Sequence, residues 1–111
     1  MAQSIDKGII VPPSTIHTIS DGTAGGLDPV TITYQHCKDL VDEFVLVEEE
    51  EIIDALRLME HHLGLKVEPA AGLALAGIIK SRDTVAGQTC AAIVCGGNID
   101  EDDYRRLMEE A

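Results

Sequence analysis

The octapeptide AAIVCGGN, Ala91 to Asn98, is where the choice of fold turns. Its first half is a short apolar run, the pattern of a strand buried on both faces. It then stops at a thiol, two glycines and an amide: Cys95, Gly96, Gly97 and Asn98. In open parallel sheets, ligands bind beyond the carboxyl ends of the strands. Two alternatives stay open for this tip. It is a plain strand-to-helix turn, or it is delivered to a ligand that glycines let approach closely, beside the free N–H groups of a following helix.

Moving outward, Phe44-Val45-Leu46-Val47 repeats the doubly buried strand pattern. A third β-rich stretch, Thr15 to Ser20, follows the extended Pro12-Pro13 pair. Asp21-Gly22 and Gly25-Gly26 then break the chain into a loop. Between these runs lie helical patterns. One begins with Pro29 in its first turn and reaches about Val41. The strongest runs from Glu48 to Leu63: Ile52, Leu56, Met59 and Leu63 share a stripe with Ile53 beside it, the leading glutamates suit the helix dipole, and Gly64 caps the end. Pro69 opens a thin helix whose Ala70, Ala71, Gly72, Ala74, Ala76 and Gly77 allow close packing. Ile99 to Glu110 is the last helical pattern.

Strands alternating with helices predict an α/β fold with a parallel sheet. Two clear strands and a third make a thin sheet, which leaves apolar faces uncovered. The expectation is therefore part of a larger domain, or a chain that must associate.

Composition narrows the function. The 111 residues suit one domain, and 45% hydrophobic content supports a packed core. Aromatics are 3% with no Trp, so that core is aliphatic. A net charge of −12 repels phosphate backbones and anionic bilayers, which argues against nucleic-acid and membrane-surface partners. No signal peptide and no apolar run near ~18 residues is present. The three cysteines are read as free thiols, implying a reducing, cytoplasmic setting. Cys90 and Cys95 are five apart and point to opposite faces of a strand, so they neither pair nor share a metal there, and Cys37 stands alone.

Few residues suggest chemistry by themselves. Glu68, between Val67 and Pro69, is either a helix cap or a site carboxylate. His61 and His62 are adjacent and do not converge on one metal, while His17 and His36 are isolated, so no metal site is expected. No Ser-His-Asp signature and no phosphate loop of the P-loop kind is present.

Four segments together are more specific. TISDGTAGG, KDLVDEFVLVEEEEI, LKVEPAAGLALAG and AAIVCGGNID resemble, in that order, the C-terminal part of the serine/threonine dehydratase and serine racemase family. These are pyridoxal-phosphate enzymes of the tryptophan-synthase-β type. The resemblance implies a partial three-layer parallel-sheet α/β domain, the C-terminal part of the large domain of a fold type II enzyme. Residues 1–14 would be a lead-in, 15–100 the family-like core and 101–111 a terminal helix. By resemblance, Cys95 stands where a Ser, Thr or Cys hydrogen-bonds the pyridine nitrogen. Gly96 and Gly97 leave room for the ring, Glu68 lies near it, and Asp21 and Gly22 line the site with Gly25 toward the substrate. A neutral thiol does not protonate the ring nitrogen as an aspartate would, which favours prompt loss of a β-substituent over transamination.

The implied reaction is deamination of L-serine or L-threonine to a 2-oxo acid and ammonia. None of Lys7, Lys38, Lys66 and Lys80 stands in the family's Schiff-base context, and the tetraglycine phosphate loop and divalent-cation cluster are absent. The chain thus reads as a fragment without a catalytic residue of its own. It is expected to be inactive and to bind no cofactor alone, its partner being the missing N-terminal part of the enzyme or a second copy. The alternatives are a non-catalytic association module and a serine racemase fragment.

Overall fold

The computed structural model describes residues 1–12 and 17–109. It contains α1 (Ala2–Lys7), α2 (Ile32–Leu40), α3 (Glu49–Leu63), α4 (Pro69–Lys80) and α5 (Glu101–Glu109), with a 3-10 turn at Asp21–Thr23. None of these helices is long and apolar enough to cross a membrane.

The expected parallel sheet is overturned: no strand occurs among the described residues. Residues 44–47 and 89–95 lack regular structure, and no ladder joins them to another described segment. Of the Thr15 to Ser20 stretch, Thr15 and Ile16 lie outside the described residues, and the remainder is not a strand. The cause is the difference between a helix and a strand. A helix satisfies its own N–H and C=O groups, whereas a parallel strand needs neighbours on both sides to satisfy its own. Two or three short runs cannot supply those neighbours, and several of their apolar side chains stay in water: Leu46 is 75% and Ile93 78% exposed.

The chain divides into two compact units, Met1–His17 with Ala24–Phe44, and Thr18–Thr23 with Val45–Ala111. In the first, α1 and α2 meet around buried Ser4, whose hydroxyl accepts from Val11 N–H at 3.1 Å while Tyr34 donates to its carbonyl at 3.4 Å. Pro29 and Val30 form a turn ahead of α2 rather than its first turn; the helix starts after Thr31, whose hydroxyl accepts from Thr33 N–H. The α1 helix had no strong periodic signal, being only six residues long.

The second unit is built on α3 and α4. Ile52, Ile53, Leu56 and Met59 of α3 are buried, while Leu63 at the end of the stripe is 64% exposed. Ile52, Leu56 and Met59 pack with Val67 and Ala71, with Ile19, Val47 and Leu107 closing over the cluster. The thinness of α4 matters at Gly72, where a Cβ would lie 2.9 Å from Leu56 Cδ2. The far ends of the pair are tied by Glu51, which accepts from Lys80 Nζ at 2.7 Å and from Glu48 N–H at 2.7 Å. The bond from Lys80, then that from Glu48, holds the Glu51 carboxyl below the ordinary carboxylate range.

Helix α5 is anchored by Tyr104, which is 3% exposed. Its hydroxyl donates to Glu60 at 3.2 Å and reaches the Leu56 carbonyl at 3.4 Å. Lys66 lies 5.8 Å from the ring centroid and pairs with Glu101 and Glu60. Burial, then the Glu60 charge, pushes the Tyr104 phenol up to about 12.

Candidate functional site

The site lies at the N-terminus of α4, where Glu68 occupies the cap position and Pro69 the first turn. Glu68 is a poor capping residue, and its carboxylate does not cap its own helix. It accepts instead from Asn98 N–H at 3.0 Å, thirty residues away in sequence. The backbone closes the same gap, since Glu68 N–H donates to the Gly96 carbonyl at 3.0 Å.

Gly96 has φ +118°, a region closed to side chains, and a Cβ there would lie 3.0 Å from Glu68 Oε2. Glycine is required at this point by both conformation and contact. The opposite wall comes from the 3-10 turn. Ser20 is buried, its hydroxyl bonds the Thr23 hydroxyl at 2.8 Å, and Thr23 donates to the Ser20 carbonyl. Ile19 N–H donates to Glu49 at 2.8 Å, which ties this segment to α3. Gly22 lies over the start of α4, with a Cβ at that position 3.6 Å from Ala70 Cβ.

Asp21, Glu68 and Asn98 therefore border one cleft of about 470 Å³, with Ile19 and Leu107 as its apolar lining and Asp100 and Asp103 as further carboxylates. A neighbouring groove of about 390 Å³ shares Ile19 and Leu107 but holds none of the residues expected from the sequence. Cys95 is exposed and is not in the cleft lining; it reaches the site only through its bond to Gly96. Gly25 is exposed and belongs to the first unit. Ser20 and Glu49 were not expected as site residues; Asn98 was read as part of the tip, but its bond to Glu68 runs through a main-chain N–H that residue type does not reveal. No group of three or more His, Cys, Asp or Glu placed to hold a metal occurs among the described residues.

Comparison with known proteins defines the class. Residues 1–96 match the family described as pyridoxal-phosphate dependent enzyme, and the chain belongs to it. It is 33% identical over 100 residues to the β-hydroxyaspartate dehydratase of Paracoccus denitrificans, covering 90% of this chain and 31% of that protein. Against the L-threonine ammonia-lyase of Geobacter sulfurreducens the identity is 39% over 97 residues, covering 87% and 24%. Against the serine racemase of Schizosaccharomyces pombe it is 31% over 108 residues, covering 97% and 33%. The chain thus spans between about a quarter and a third of the length of these relatives.

The cleft as this chain forms it does not fit the whole cofactor. Its charged lining is Asp21, Glu68, Asp100 and Asp103, with no Lys, Arg or His among the lining residues. Bringing a phosphate dianion against carboxylates without a cation is repulsive, the more so where water is excluded. The phosphate has no cationic counterpart among these lining residues.

Proposed function

We propose that this chain is the C-terminal portion of a pyridoxal-phosphate-dependent L-threonine/L-serine dehydratase, which releases a 2-oxo acid and ammonia. The chain forms the ring-side wall of the cofactor site, with Gly96 and Gly22 shaping it and Glu68 fixing it; the role of Cys95 at the ring nitrogen rests on the family resemblance alone. Asp21 lies on the substrate side. A second polypeptide, carrying the Schiff-base lysine and the phosphate-binding loop, completes the site. The single observation that carries this is the convergence of Asp21, Glu68 and Asn98, from three of the four family-like segments, on one cleft. A lining whose charged residues are all carboxylates supports the need for a second polypeptide, since the phosphate must be held elsewhere.

The test has two arms. The chain alone, incubated with pyridoxal phosphate and serine or threonine, should release no pyruvate or 2-oxobutanoate above the rate of the cofactor alone. Co-produced with a family dehydratase lacking the matching residues, it should restore that release. Activity of the chain alone, or no restored activity from a complex that does form, would contradict the proposal. Formation of D-serine by the complex would assign it to the racemases instead.

An association module without catalysis is the alternative, favoured by the exposed Leu46, Ile93 and Val94. Concentration-dependent dimerisation of the chain, with no change in cofactor absorbance even in the co-produced complex, would select it.

A further inference from the structure

We propose that Glu68 is a positioning residue: a clamp that fixes residues 96–98 to the start of α4 and so sets the shape of the ring-side wall. Its functional consequence rests on the cofactor-site proposal above, but its geometry does not. Three features converge on this one residue, two of them on its side chain. Its backbone N–H donates to Gly96, and its carboxylate accepts from Asn98 N–H, each at 3.0 Å. Its other carboxylate oxygen fills the space that a side chain at position 96 would need.

A carboxylate at a helix N-terminus ordinarily turns back to its own first-turn N–H groups. Glu68 leaves that role to its carbonyl, which accepts from Ala71 N–H at 2.9 Å and Gly72 N–H at 3.2 Å, and sends its side chain outward. The clamp therefore contributes to the loop rather than to the helix. Gly96 and Glu68 are coupled, because a Cβ at 96 would crowd the carboxylate at 3.0 Å and push it away from Asn98.

Amide hydrogen exchange of the full chain, read residue by residue by NMR, tests this. Glu68→Ala should speed exchange at Asn98 about tenfold, the scale of one lost charge-assisted hydrogen bond. Glu68→Gln keeps an acceptor oxygen at the same reach and should stay within about twofold of the parent. Gly96→Ala should match Glu68→Ala at Asn98, and the double variant should add little to either. Amides of Ala76 and Gly77 in α4 should be unchanged in Glu68→Ala, which separates a released loop from a loosened helix.

Unchanged Asn98 exchange in Glu68→Ala, or no rescue by Glu68→Gln, would overturn the clamp. No cofactor is needed for this measurement, so its failure is distinct from failure of the dehydratase proposal, which product release reads. In the co-produced complex, Glu68→Ala should weaken cofactor retention and Glu68→Gln restore most of it. Equal retention by all three would overturn the link between the clamp and the site.

Discussion

The α3–α4 pair and the apolar runs at 45–47 and 91–95 both carry aliphatic side chains and meet different fates. Leu56, in the pair, is fully buried; Ile93, in the runs, is 78% exposed. The helices satisfy their backbones internally and need only one apolar face covered, which each does for the other. The extended runs need partners for both backbone and side chains; apart from Val47, which packs on the core, this chain supplies little of either. Apolar content alone therefore does not predict burial; what matters is whether the backbone can be satisfied locally.

The largest test of the contrast is Leu56→Ala. It removes a fully buried side chain facing Gly72, and should cost about 2–5 kcal/mol in denaturant unfolding. A loss below about 1 kcal/mol would mean that the pair is not the stabilising centre.

Gly72→Ala probes the same contact from the other side. Its added methyl meets Leu56 at 2.9 Å and should destabilise by about 1–2 kcal/mol. In the Leu56→Ala background the methyl enters the space just vacated, so the cost should vanish or reverse. Simple additivity of the two changes would show that they do not touch.

Tyr104→Phe should cost about 1 kcal/mol by removing the bonds to Glu60 and the Leu56 carbonyl. The phenol's folded pKa is raised from 10.0 to about 12, so the unfolded chain loses this proton first. This contribution is fully present below pH 10 and is lost as pH rises toward 12. A urea series over that window should show a steeper fall for the parent than for Tyr104→Phe.

The smallest effect is expected from Ile93→Lys. At an exposed position without a partner it should change unfolding free energy by less than about 0.5 kcal/mol. The same change should abolish assembly with a complementing polypeptide, because it places a charge where apolar surface is to be covered. A large loss of stability in the chain alone would mean that the run is already packed.

The sequence made α3 and α4 legible because their signals are local. Ile52, Leu56 and Met59 repeat at helical spacing, Glu51 faces the helix start, and Pro69 can stand only in a first turn. It misled at Phe44-Val45-Leu46-Val47 and Ala91-Ala92-Ile93-Val94. An apolar run declares that a segment is to be buried, but not that the burying partner lies in the same chain. Pro29 misled by one turn, because Thr31 offers a better cap. In the cleft lining, Asp21 and Glu68 stand in the family-like segments of the sequence. The bond made by Asn98 was not legible, because it contributes a backbone N–H that any residue could offer. One signal did point there: Glu directly before Pro69 is a weak cap, and a residue poorly suited to its local place is suited to a distant one.

Residue-resolved amide exchange of the full chain compares the two regions most directly. The account predicts near-intrinsic exchange across residues 91–95 and strong protection across Leu56 to Glu60, with the former becoming protected only when a complementing polypeptide is bound. Comparable protection of both regions in the chain alone would contradict it.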